Sequence, residues 1–211
     1  SQLTGRAGSN FRFSSLDQLP LPALDLYPNL RSAAIMTSRG CPFRCSFCAS
    51  SIVAPHYRRR SPQNVLDEIE HWYTTGNVKQ FAFFDDALFV RADEFIKPIL
   101  KGVIRNGWDV YFHTPNGLTP RYFDKELAEL FYGSGVRTVR LSFETANKNR
   151  QQEMSAKVSN EQLEQAMQNL EFSGYDPENI GIYVMMGLPD QDIDEVIDSI
   201  DYVHSLGATV N

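Results

Sequence analysis

RSAAIMTSRGCPFRCSFC, residues 31–48, joins a short apolar run to Cys41, Cys45 and Cys48, the only three cysteines of the chain. Crowded into eight residues, they cannot build a disulfide framework, because bridging any two strands the third. Metal ligation or redox work is the better reading of such a cluster. Thiolates are soft ligands that suit iron–sulfur clusters or zinc. A 4Fe–4S cube usually takes four cysteines; with three, one iron keeps an open position, and an open metal position is where a substrate binds. An electron carrier would close all four irons. Zinc is the main competitor, with His56 as a fourth ligand of a Cys3His site. Yet His56 lies beyond Pro55, and there is no second knuckle around which to build a zinc fold, so the balance favours the cluster.

Outward from this stretch, strand-like and helix-like segments alternate. Strands are expected at 31–38, 79–85, 109–114, 136–143 and 180–186. Helices lie between them. Val65, Leu66, Ile69, Trp72 and Tyr73 form one apolar stripe at helical period, after the Ser61-Pro62 start signal. Phe95, Ile96, Ile99, Leu100, Val103 and Ile104 repeat the pattern and end at Gly107. Shorter stripes follow around 124–133, over Leu163–Leu170 and over Val196–Val203. Strict alternation implies a parallel sheet with right-handed crossovers. The expected fold is therefore α/β, a partial (βα)6-type TIM-like barrel that stops as its sixth strand begins in 209–211. Residues 1–30, with LPLPALDLYPNL, read as an extended N-terminal segment, and 31–211 as the core domain.

Strand phase says what faces inward. In VRTVRLSFE, Val139, Leu141 and Phe143 share one face, and Arg140, Ser142 and Glu144 the other. If the apolar face packs on helices, the polar face lines the sheet interior, where a polar ligand is expected; the plain alternative is an Arg140–Glu144 pair satisfied within the core. His113 and Tyr111 also share a face, but a lone strand histidine is more often a satisfied structural residue than a base.

Composition bounds the function. A formal net charge of −6 and a pI near 5.2 argue against phosphate-backbone binding, which leaves a basic footprint. Arg58-Arg59-Arg60 is the only basic run, and it reads first as a solvated loop before a helix. No apolar run reaches the roughly 18–20 residues a membrane span needs, and the N-terminus lacks the apolar core of a secretory signal. The expected location is cytoplasmic, with no membrane partner.

The segment CPFRCSFC at the end of a first strand, followed by βα units, resembles the radical S-adenosylmethionine (SAM) superfamily over residues 31–211. With LPLPALDLYP and TSRGCPFRCSFC it is most similar to the branch whose members carry an upstream cobalamin-binding domain. The resemblance implies that Cys41, Cys45 and Cys48 hold a 4Fe–4S cluster, that SAM chelates the fourth iron, and that one-electron reduction releases a 5′-deoxyadenosyl radical. It implies Phe47 against the adenine. It places Phe84, Asp85 and Asp86, where the family commonly has Gly-Gly-Glu, beside the cofactor's ammonium, without choosing between the two aspartates. Asn116, Ser142 and Glu144 would contact the cofactor at the ends of the third and fourth strands. Gly187 and Pro189 of MGLPDQ resemble the turn beneath the adenine. For several of these a plain reading stands alongside: packing of the cluster loop for Phe47, a helix cap for one aspartate, and turn geometry for Asn116, Gly187 and Pro189. A flavodoxin or ferredoxin donor and cobalamin held by another domain complete the implied set. The alternatives are a radical methylthiotransferase, an iron–sulfur electron carrier and a zinc-stabilised binding module.

Overall fold

The computed structural model describes residues 14–154 and 157–211; the polar start of the N-terminal segment, residues 1–13, lies outside them. The strands are β1 (Ser32–Ile35), β2 (Ser38–Arg39), β3 (Arg58–Arg59), β4 (Gln80–Phe83), β5 (Tyr111–His113), β6 (Val136–Glu144), β7 (Ile180–Val184) and β8 (Thr209–Val210). The helices are α1 (Ser50–Val53), α2 (Pro62–Thr75), α3 (Ile96–Asn106), α4 (Lys125–Gly133), α5 (Lys148–Met154), α6 (Asn160–Phe172) and α7 (Ile193–Ser205). Six strands form one sheet in the order β1-β4-β5-β6-β7-β8, every neighbouring pair parallel. No described pairing joins β8 back to β1, so the expected partial barrel is an open one. No helix among the described residues is long and apolar enough to cross a membrane.

Local chemistry starts and stops the helices as the sequence indicates. Ser61 caps α2 by accepting the Asn64 N–H at 3.2 Å, with Pro62 at the first helical position. Asp124 caps α4 through the Leu127 N–H. Ser159 and Gln162 form a reciprocal capping box on α6. Gly107, at φ +64°, ends α3 in the left-handed conformation that costs glycine nothing.

The phase read from β6 holds. Val139, Leu141 and Phe143 are buried in the layer between sheet and helices, together with Ile69, Leu100, Phe131 and Leu170. Arg140 does not pair with Glu144: its Nη1 donates to the Val139 carbonyl at 3.0 Å. His113 is held on both sides, Nδ1 2.8 Å from Thr138 Oγ1 and Nε2 2.7 Å from Gln80 Oε1, a polar chain across three strands that marks it as structural.

Two expectations fail. The first strand does not run through 31–38; it leaves the main sheet after Ile35, and Ser38–Arg39 pair antiparallel with Arg58–Arg59 instead. The arginine run is therefore not a solvated loop. The Arg59 guanidinium lies 3.9 Å from the Phe95 ring centroid and 5.0 Å from that of Tyr57. Arg60 pairs with Glu68, whose side chain is almost fully buried on α2, and also donates to Asn64 Oδ1 at 2.6 Å. Loss of either partner of this pair would leave the other charge uncompensated, and the pairing holds Arg60 out of solvent.

Candidate functional site

The cysteines sit on the loop between β2 and α1, at the C-terminal end of the parallel strands, where α/β barrels carry their chemistry. Gly40, at φ +79°, makes the loop possible: a Cβ there would stand 2.7 Å from the Ala54 carbonyl oxygen and 2.9 Å from that of His56. The Cys48 N–H donates to the Cys45 carbonyl, closing a tight turn, and the Ser46 N–H donates to Met154 O at the end of α5. The loop is thus tied to the helix that follows β6.

All three cysteines line one cleft of about 420 Å³ with Phe47, Asp86, Asn116, Ser142 and Lys157, a size usual for small-molecule sites (roughly 300–1,000 Å³). Ser142 rises from the inner face of β6. Gly117 packs so closely on it that a Cβ at 117 would lie 2.2 Å from the Ser142 hydroxyl. Asn116 spends its amide protons on the carbonyls of Phe84 (3.0 Å) and Asp85 (3.3 Å), tying the loops after β4 and β5 together beside the cysteines. A smaller adjoining cavity is lined by Cys45, Phe47, Glu144, Gln151, Met154 and Lys157. Glu144 ends β6 at φ +77°, a conformation that L residues rarely adopt and that tends to persist at functional sites. Burial pushes its carboxyl up, and the Lys157 ammonium opposes that shift. Burial likewise raises the Cys41 thiol, against the Phe43 N–H and Lys157.

The two aspartates separate. Asp85 is buried, with Oδ2 accepting the Thr37 N–H and Oδ1 the Thr37 and Ser38 hydroxyls. Its carboxylate is turned away from the cleft and is structural, a correction to its expected place beside the ammonium. Asp86 is exposed and lines the cleft. Phe84 is half-exposed outside it, contributing its carbonyl to Asn116. Gly187 and Pro189 are also outside. Their turn is held by its own groups: Gln191 Oε1 accepts the Gly187 and Leu188 N–H groups, and Arg150 donates to the Pro189 and Asp190 carbonyls. Lys157 was missed by the sequence reading; its one local signal is its position just before the α6 capping box.

Among the described residues no three His, Cys, Asp or Glu side chains close on a single point that would hold one metal ion. A four-iron cube takes each thiolate on a different iron and needs no such convergence.

Residues 35–203 match the family model described as the Radical SAM superfamily. An uncharacterized methyltransferase of Pyrococcus horikoshii is 25% identical over 200 residues, covering 91% of this chain and 42% of that protein. An anaerobic magnesium-protoporphyrin IX monomethyl ester cyclase of Rubrivivax gelatinosus is 30% identical over 146 residues, covering 69% of this chain and 26% of that one. The chain thus spans less than half the length of these relatives. Among solved structures, a radical SAM methyltransferase, TsrM, from Kitasatospora setae superposes with a TM-score of 0.75 at 19% identity, over 95% of this chain and 39% of that one. That likeness shows the fold.

Proposed function

The chain belongs to the radical SAM superfamily, whose members bind a 4Fe–4S cluster and SAM, and from that premise we propose that it is the core of a radical methyltransferase. The observation that carries this reading is the joint lining of one cleft by three thiols, a carboxylate and an ammonium. Cys41, Cys45 and Cys48 would each hold one iron. SAM carries an ammonium, a carboxylate and an adenine at its extremities, and the cleft offers a partner to each. Asp86 would accept from the ammonium, Lys157 would attract the carboxylate, and Phe47 offers the adenine an aromatic face. Ser142 supplies a hydroxyl at the cleft wall. The chemistry these cofactors supply when bound is one-electron reductive cleavage of a SAM carbon–sulfur bond.

Methyl transfer rests on the relatives: those of Pyrococcus horikoshii, Chlorobaculum tepidum and Streptomyces wedmorensis are methyltransferases by name. Cobalamin enters through TsrM, which holds it together with a 4Fe–4S cluster; the cleft residues identify no ligand for it in this chain. Cys48 is exposed, so a small electron donor such as flavodoxin or ferredoxin can approach the cysteine loop.

The test is anaerobic reconstitution with iron and sulfide, followed by dithionite and SAM. A brown protein that yields 5′-deoxyadenosine, and loses both colour and product in Cys45→Ala, supports the reading. A colourless protein that holds zinc instead would sink it.

A further inference from the structure

Ser50 is the first residue of α1, and it places two hydrogen-bonding groups on one cysteine. Its backbone N is 3.4 Å from Cys48 Sγ, and its hydroxyl oxygen is 3.3 Å from the same sulfur. The turn that begins at Ala49, whose carbonyl accepts the Ile52 and Val53 N–H groups, holds Ser50 over that sulfur. Any residue but proline at position 50 would supply the N–H. Only a hydroxyl side chain supplies the second group. The direction of that second bond follows from the state of the sulfur. A free thiol can donate to Oγ, whereas a thiolate on iron has no proton, so the hydroxyl must then be the donor.

We propose that the Ser50 hydroxyl is a positioning residue for the electron: by donating to Cys48 Sγ it raises the reduction potential of the cluster held by Cys41, Cys45 and Cys48. The inference rests on the cluster reading above. Reduction adds one electron, supplied by the donor protein or by dithionite, and spreads negative charge over iron and sulfur with no bond made or broken at Ser50. An O–H dipole aimed at a ligating sulfur stabilises the more negative state, and hydrogen bonds to cluster sulfurs are one of the levers that set cluster potentials. Cys41 also receives a donor, the backbone N–H of Phe43, but a main-chain group cannot be altered by changing a side chain. At Cys48 the second donor is the side chain itself. Ser50 also lines the cleft, so the bond lies on the face where SAM and the donated electron would meet.

The experiment is an EPR-monitored redox titration of the full chain, loaded anaerobically with iron and sulfide, in wild type, Ser50→Ala and Ser50→Thr. Iron content should match in all three. In Ser50→Ala the ratio of reduced to oxidised cluster at a fixed potential should fall about tenfold, about 59 mV for a one-electron couple, while Ser50→Thr keeps the wild-type midpoint. Because alanine also removes volume, the nearly isosteric variant Ser50→Val repeats the comparison with Thr; Val must follow the lowered midpoint. Midpoints that do not move in the loaded Ala and Val variants, or that move upward, overturn the proposal and leave the cluster reading intact. A wild-type chain that takes up no four-iron cluster overturns both.

Discussion

The Asp85 carboxylate and Thr37 are joined twice, through the Thr37 N–H at 3.0 Å and its hydroxyl at 2.8 Å. Asp85 follows β4 and Thr37 follows β1, so this staple fixes the point where the chain leaves the sheet for the cysteine loop. Burial pushes the Asp85 carboxyl up, and the Ser38 and Thr37 donors pull it back. The group matters as an acceptor, and its charge is secondary. Asp85→Ala leaves three buried donors without a partner and should cost roughly 2–4 kcal/mol. Asp85→Asn keeps one carbonyl oxygen for the Thr37 N–H, and the two hydroxyls can rotate to accept from its amide, so it should cost less than half as much. Urea unfolding distinguishes them; equal losses would contradict the acceptor role.

Much of this was readable in the linear order of residues, for identifiable reasons. The cysteine spacing is local, and the phase of Val139, Leu141 and Phe143 is a period-two pattern that burial reproduces. The same period, continued from Phe81 and Phe83, would have put Asp85 on the buried side and Asp86 on the other. The two-residue ladder of β2 with β3 is too short to leave any periodicity. Lys157 lines the cleft near the point where the end of α5 meets the cysteine loop, Met154 O accepting the Ser46 N–H, a tertiary fact that no spacing to the cysteines records. The turn at Gly187 matched a motif, but Gln191 and Arg150 satisfy its backbone without a ligand.

The contact between Gly117 and Ser142 sets the cleft wall. Gly117→Ala would drive a methyl group to 2.2 Å from the Ser142 hydroxyl and 3.1 Å from the Tyr183 ring. Overpacking of this kind costs roughly 1–3 kcal/mol and should displace Ser142. SAM affinity should fall while cluster content stays constant. Adding Ser142→Ala should recover part of the stability but not the affinity, and thermal unfolding with equilibrium binding reads both.

A polar cluster joins α3 to the start of α4 and carries a pH signature. Lys97 Nζ lies 2.7 Å from Asp93 and Asp124 and 2.9 Å from Glu126, and Lys101 also reaches Glu126. The Lys101 ammonium, then that of Lys97, holds the Glu126 carboxyl at about 2, down from 4.5. With the folded value lowered, the unfolded chain takes up the proton first as pH falls. The contribution is therefore complete above about 4.5 and fades as pH drops toward 2. Lys101→Met should flatten that part of the stability–pH profile by lowering the plateau above about 4.5, a small loss as expected for an exposed pair, while stability near pH 2 stays the same. A profile with the same acid slope in both proteins would remove Glu126 from the account.

Asp86 and Lys157 carry opposite charges into the cysteine cleft, and both act on the Cys41 thiol, Asp86 raising it and Lys157 lowering it. If they meet the ammonium and carboxylate of SAM, neutralising either should weaken binding by roughly tenfold, the loss of one charge-assisted hydrogen bond at a partly solvated site, about 1.4 kcal/mol. Asp86→Asn and Lys157→Met should each do so with the cluster loaded. The decisive comparison uses S-adenosylhomocysteine, which keeps the amino-acid end and lacks the sulfonium. Both variants should lose affinity for it by the same factor as for SAM, because the missing contacts lie at the shared end. A loss confined to SAM in Asp86→Asn would place that carboxylate at the sulfonium instead. No loss for either ligand would mean that the two side chains only balance each other across the cleft.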